Sequence, residues 1–142
     1  MLDKNRIASK FAELSGFLKE LDQVAPKNYA DYQTIEKKRS CERLMQLSIE
    51  CVVDVCKLLV SGENLGMPGK EQDILDALEK KKIISTKLTA ELKKMRGFRN
   101  ILVHEYATVD DELAFEIIKT RAAAFTEFKK EITSFIKANN GH

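Results

Sequence analysis

Ile7, Phe11, Leu14, Leu18 and Leu21 recur at intervals of four, three, four and three residues. That rhythm puts five apolar side chains in one stripe along a helix, which needs other apolar faces to cover it. It continues along the chain. Leu44, Leu47, Cys51, Val55 and Leu58 form a second stripe, widened by Val52 and Leu59. Ile74, Leu75 and Leu78 form a short third, and Leu88, Leu92, Met95, Phe98 and Leu102 a fourth. Ile118, Phe125, Phe128, Ile132 and Phe135 form a fifth. Pro26 ends the first helix. Asn28 to Asp31 offers N-cap residues for a second, of some 30 residues and roughly 45 Å. "SGENLGMPG", 61–69, reads as the clearest loop, and the third helix is expected over about 71–82. Ser85 or Thr86 suits the start of the fourth helix. Thr108 with Asp111, or Asp110 alone, suits the start of a fifth that runs unbroken to about 137.

Composition narrows the alternatives. Six glycines and two prolines in 142 residues are too few turns for an all-β chain. The expectation is all-α: one domain over 1–142, an up-and-down bundle of four long helices plus one short one. The two longest helices look oversized for a compact monomer, which makes a dimer along the bundle side plausible. No apolar stretch has the length of a signal peptide or of a membrane span, so a cytoplasmic location and no membrane partner are expected. Cys41, Cys51 and Cys56 are odd in number and lack CxxC spacing, which argues for packing over disulfides or zinc. With one internal histidine and no cluster of metal-binding side chains, neither a metal nor another cofactor is expected.

Charge is unevenly spread. Residues 80–99 hold Lys80, Lys81, Lys82, Lys87, Lys93, Lys94, Arg96 and Arg99 against Glu91 alone, a formal +7 in a chain whose net charge is +2. Such a run is either a solvated helix face or an electrostatic footprint for phosphate. It leads directly into "RNILVHEY", residues 99–106. On a helical wheel Arg99 falls inside the apolar stripe. Its guanidinium therefore snorkels out, meets an acid, or lines a cleft that receives an anion. His104 lies about 140° round the helix from Arg99, whereas Asn100 and His104 are neighbours at i, i+4. Arg99 and His104 converge only if the helix ends or distorts near 103, or if they meet across a symmetric interface.

Arg99, His104 and Tyr106 fill the R-X4-H-X-Y motif, with Asn100 as the polar residue after the arginine. With its context "MRGFRNILVHEYATVDDE", this stretch resembles the HEPN-domain toxins of the HepT type, and the resemblance extends over essentially the whole chain. It implies a HEPN-like bundle that acts as a homodimer, with two motifs facing one cleft. It also implies the toxin of a type VII-like toxin–antitoxin module: a metal-independent endoribonuclease acting on RNA, with no DNA substrate expected. The implied antitoxin is a small nucleotidyltransferase of the MntA type, which adenylylates the motif tyrosine, here Tyr106, from ATP.

The chemistry suits those residues. RNA carries its own nucleophile, the 2′-OH, and its cleavage leaves a 2′,3′-cyclic phosphate and a 5′-hydroxyl. Histidine moves protons near neutrality, giving His104 the acid–base role. Arginine stays charged and grips phosphate oxygens, giving Arg99 the stabilising role. Asn100, Arg96 and Lys93 are the supporting, phosphate-binding candidates. A second class of reading is a non-catalytic helical module that docks a nucleotidyltransferase and holds a nucleotide in the Arg–His cleft. The chain lacks the GS-x10-D-x-D pattern of such a transferase, so it is not that enzyme itself.

Overall fold

Asp3 opens the first helix, α1 (Lys4–Val24), where its carboxylate accepts a hydrogen bond from the Arg6 amide at 3.1 Å. The computed structural model describes residues 1–66, 69–104 and 109–139. Six more helices follow within them: α2 (Tyr29–Tyr32), α3 (Ile35–Gly62), α4 (Glu71–Lys80), α5 (Thr86–His104), α6 (Asp111–Lys119) and α7 (Arg121–Asn139). The four long helices α1, α3, α5 and α7 make the bundle. No helix among the described residues is long and apolar enough to cross a membrane.

The pairings show the up-and-down course. The Met1 ammonium donates to the Gly62 carbonyl at 3.0 Å and Lys10 pairs with Asp54 at 3.1 Å, so α1 runs antiparallel to α3. Phe11 packs against Phe128 with ring centres 5.9 Å apart, Lys129 donates to Ser15, and Arg121 to Asp22, so α7 runs antiparallel to α1. Gly62 is required where α1 begins: a Cβ there would lie 2.8 Å from the Leu2 side chain and 3.0 Å from its Cα.

Ile7, Leu14 and Leu21 are buried as expected, with Phe11 and Leu18 packed at the margin. Ile74, Leu75 and Leu78 of α4 and Leu88, Leu92, Met95 and Phe98 of α5 are buried as well. α3 differs. Leu44, Leu47 and Leu58 are only half-buried, while Met45, Ile49, Val52, Val53, Cys56, Leu59 and Val60 sit in the core. The helix touches α1, α2, α4, α5 and α6, so its C-terminal half is apolar on nearly every side rather than along one stripe.

Two helices expected to be continuous are divided, adding α2 and α6 to the one short helix, α4, that the sequence suggested. Thr34 takes an extended backbone (φ −64°, ψ 142°) and its hydroxyl donates to the Asp31 carbonyl at 2.8 Å, which separates α2 from α3. The break lets Tyr32 insert fully into the core against Phe115, ring centres 5.7 Å apart. At the other break Thr120 donates to the Glu116 carbonyl, and Arg121 donates to that of Ile118 at 2.6 Å, capping the end of α6. Asp110 is the N-cap of α6, accepting from the amides of Glu112 and Leu113; Thr108, its alternative, lies outside the described residues.

Candidate active site

α5 carries the site. Its apolar stripe fixes its rotation against α3 and α7, and that rotation turns Lys93, Arg96 and Arg99, three residues apart, toward α4. α4 meets them with acids in antiparallel order. Lys93 donates to Asp76, and Nη2 of Arg99 donates to Glu71 Oε1. Arg96 lies between them. Together with Glu71 it borders a small, otherwise apolar cavity among Ile49, Val52, Val53, Cys56, Ile74, Leu75, Leu92 and Met95. Its Nε is buried and has no hydrogen-bond partner among the described residues.

Of the routes open to an arginine in an apolar stripe, Arg99 takes the acidic partner. Its side chain is 12% exposed and that of Glu71 28%, so the pair is well shielded from water. The second oxygen of Glu71 lies 3.8 Å from the ammonium of Lys57 on α3. Nε of Arg99 donates to the side-chain oxygen of its neighbour Asn100 at 3.0 Å. Asn100 thus turns its oxygen to Arg99 and not toward His104. Nη1 of Arg99 makes no hydrogen bond among the described residues.

His104 is the last residue of α5 and is exposed. The helix stays regular through it, so no distortion near 103 swings the imidazole toward Arg99. Within one chain the two side chains leave α5 about 140° apart. Two apolar residues of the same helix turn are also exposed, Ile101 at 37% and Val103 at 38%, as is Leu113 on α6 at 44%. Tyr106 lies outside the described residues.

The basic run is divided by this packing. Lys93, Arg96 and Arg99 face α4, whereas Lys80, Lys81, Lys82, Lys87 and Lys94 are exposed. Lys87 sits near the start of α5, about 25 Å along the axis from His104. The three thiols are free and buried in the core. Burial pushes Cys51 up to about 11 and Cys56 up to about 12, far from a reactive thiolate. Glu71 and Asp76 are the site residues that sequence reasoning missed. Their partners lie 28 and 17 residues away on another helix, and no spacing rule links them.

Known proteins share this arrangement of helices. A family model described as HepT-like ribonuclease matches residues 14–132. YutE of Bacillus subtilis is 31% identical over 111 residues, 78% of this chain and 77% of that protein. The mRNA nuclease HepT of Shewanella oneidensis is 25% identical over 122 residues, 86% of this chain and 92% of that one. The solved structure of the tri-AMPylated Shewanella oneidensis HEPN toxin in complex with MNT antitoxin superposes with a TM-score of 0.85 at 25% identity, covering 94% of this chain and 99% of that one. With one family model spanning most of its length, including the Arg–His helix, the chain belongs to the HepT-like ribonuclease family.

Proposed function

We propose that the chain is the toxin of a toxin–antitoxin pair and acts as a metal-independent endoribonuclease. The observation that carries this reading is the helix α5 itself. It presents a shielded, oriented guanidinium at Arg99 and an exposed imidazole at His104, in a chain whose relative in Shewanella oneidensis is an mRNA nuclease. In the proposed reaction the 2′-OH attacks the adjacent phosphorus and the 5′-oxygen leaves. His104 takes the proton from the 2′-OH, and Arg99 stabilises the charge gathering on the phosphorane. The product ends are a 2′,3′-cyclic phosphate and a 5′-hydroxyl. Asn100 supports Arg99 directly. Lys93 and Arg96, engaged with α4, contribute mainly through their field.

The working form in this reading is a homodimer. Arg99 and His104 diverge on one helix, and a two-fold axis beside α5 brings the arginine of one protomer toward the histidine of the other. The partner subunit's His104 then supplies the second proton transfer. The exposed Ile101, Val103 and Leu113 give that contact an apolar surface. A nucleotidyltransferase of the MntA type is the proposed antitoxin and Tyr106 its target. The support is the motif spacing and the AMPylated state of the Shewanella toxin. In this reading AMP on Tyr106, two residues after His104 in the sequence, adds a bulky anion that excludes RNA by like charge and bulk. Tyr106→Phe is expected to keep most cleavage and escape neutralisation, as intact mass after co-expression will show.

The direct test is incubation of the purified chain with total RNA in EDTA. Cleavage is expected, with cyclic-phosphate ends, and His104→Ala is expected to lose it. One observation favours the second reading, a non-catalytic module that docks the transferase and holds a nucleotide: Arg99 is already ion-paired in the free chain. Growth arrest on expressing the chain alone separates the two, because only the nuclease produces it.

A further inference from the structure

We infer that Glu71, at the first turn of α4, is a positioning residue for Arg99, holding its guanidinium in one orientation with Nη1 turned free for a phosphate oxygen; this rests on the nuclease reading above. Three features of the pair lead there. Two of the three guanidinium nitrogens are tied to separate residues, Nη2 to Glu71 and Nε to Asn100. Two such bonds fix both the plane and the roll of a planar group, so the third nitrogen points one way. That nitrogen, Nη1, is the one without a hydrogen bond among the described residues.

The second feature is charge. A carboxylate touching a phosphate-binding arginine ought to cancel it. Here Lys57 lies 3.8 Å from the other oxygen of Glu71, so Lys57, Glu71 and Arg99 together keep one positive charge. The carboxylate orients Arg99 while the cluster still attracts an anion. The third feature is that stability does not account for the pair. A shielded ion pair is often matched or bettered by apolar side chains of similar volume, and the apolar residues of α4 and α5 already line this junction. A chain that needed only to fasten α4 to α5 had that simpler route.

The consequence concerns rate. If Glu71 aims Arg99 at the charge that develops in the transition state, removing it leaves RNA binding nearly intact and slows the chemical step. The experiment uses purified wild type, Glu71→Ala and Glu71→Gln, with Arg99→Ala as reference and thermal melts to verify folding. For Glu71→Ala, kcat is expected to fall about 10–100-fold with KM little changed, since a misplacement of about 1 Å costs on the order of 10²-fold. Glu71→Gln keeps an acceptor oxygen for Nη2 and is expected to recover most of that loss. In nitrogen-edited spectra the Nε–Hε signal of Arg99 is expected to shift in Glu71→Ala and to return toward its wild-type position in Glu71→Gln.

Wild-type or higher kcat in folded Glu71→Ala overturns the positioning role, as does a Glu71→Gln no better than Glu71→Ala or an unmoved Arg99 signal. Those outcomes leave the nuclease reading standing so long as wild type cuts RNA and Arg99→Ala does not. Absence of RNA cleavage by wild type overturns both.

Discussion

Arg99 and His104 differ in what surrounds them, and this sets how their replacement reads out. His104 is exposed at a helix end, so His104→Ala removes little packing. Its expected effect is a loss of RNA cleavage of about 10²–10⁴-fold with a nearly unchanged melt. Arg99→Ala strands Glu71 at a shielded junction, but the remaining exposure of that carboxylate and the nearby Lys57 limit the cost to roughly 1–2 kcal/mol. It is expected to fold, melt a few degrees lower, and lose cleavage as fully as His104→Ala. The thiols give a different signal. Burial raises Cys51 to about 11 and Cys56 to about 12, above their unfolded values. Below the unfolded thiol pKa both states hold the proton and stability does not depend on it. Above it only the unfolded chain releases the proton, so stability falls as pH rises, by up to about 1.4 kcal/mol per pH unit for each thiol. Denaturant unfolding between pH 7 and 10.5 is expected to show this decline, and Cys56→Val to lessen it.

At the scale of the element, α4 ends in an unusual way. Lys82 sits in the left-handed region at φ 58°, while the amide of Ile83 returns to the Leu78 carbonyl at 2.9 Å. Glycine normally fills this position after a helix, because a side chain there costs about 1–2 kcal/mol. Lys82→Gly is therefore expected to stabilise the chain by about 1 kcal/mol, raising Tm by roughly 2–4 °C. That end was not legible in the sequence, where the periodicity carries the helix to 82 and a lysine gives no stop signal. Helices that bury one face, such as α1 and α5, were legible because 3.6-residue spacing records a single covered side. α3 was only half legible, since neighbours on several sides remove the contrast on which the spacing depends. The breaks at Thr34 and Thr120 rest on side-chain bonds to nearby carbonyls, and either threonine is also compatible with an unbroken helix. The motif put Arg99, Asn100 and His104 on one helix, and α5 carries those three. Glu71 stayed hidden because its relation to Arg99 exists only once α4 folds back along α5.

For the whole molecule, exposed apolar side chains on the turn that ends in His104 point to self-association. Exposed Ile101 and Val103 on α5 and Leu113 on α6 lie at the end of the bundle that carries the motif. A homodimer through that surface is expected in sedimentation at micromolar concentration. Val103→Lys is expected to shift it toward monomer and to lower cleavage along with it. If the arginine and histidine act across the axis, mixing Arg99→Ala with His104→Ala protomers re-forms one Arg99–His104 pair per heterodimer but leaves a single imidazole, so activity is expected to rise above that of either variant alone and to stay well below half of wild type.

The acids of α4 also bear on how the chain meets a polyanion in salt. Each phosphate neutralised on a single strand releases condensed counterions and adds about 0.7 to the slope of log affinity against log salt. Eight basic residues between 80 and 99 suggest a steep dependence. Lys93 and Arg99, however, already hold carboxylates of their own chain, and such cations release fewer counterions when RNA arrives. Under the proposed nuclease reading, the salt dependence of RNA binding is therefore expected to come mainly from the exposed Lys80, Lys81, Lys82, Lys87 and Lys94, with affinity and catalysis drawing on different members of one basic run.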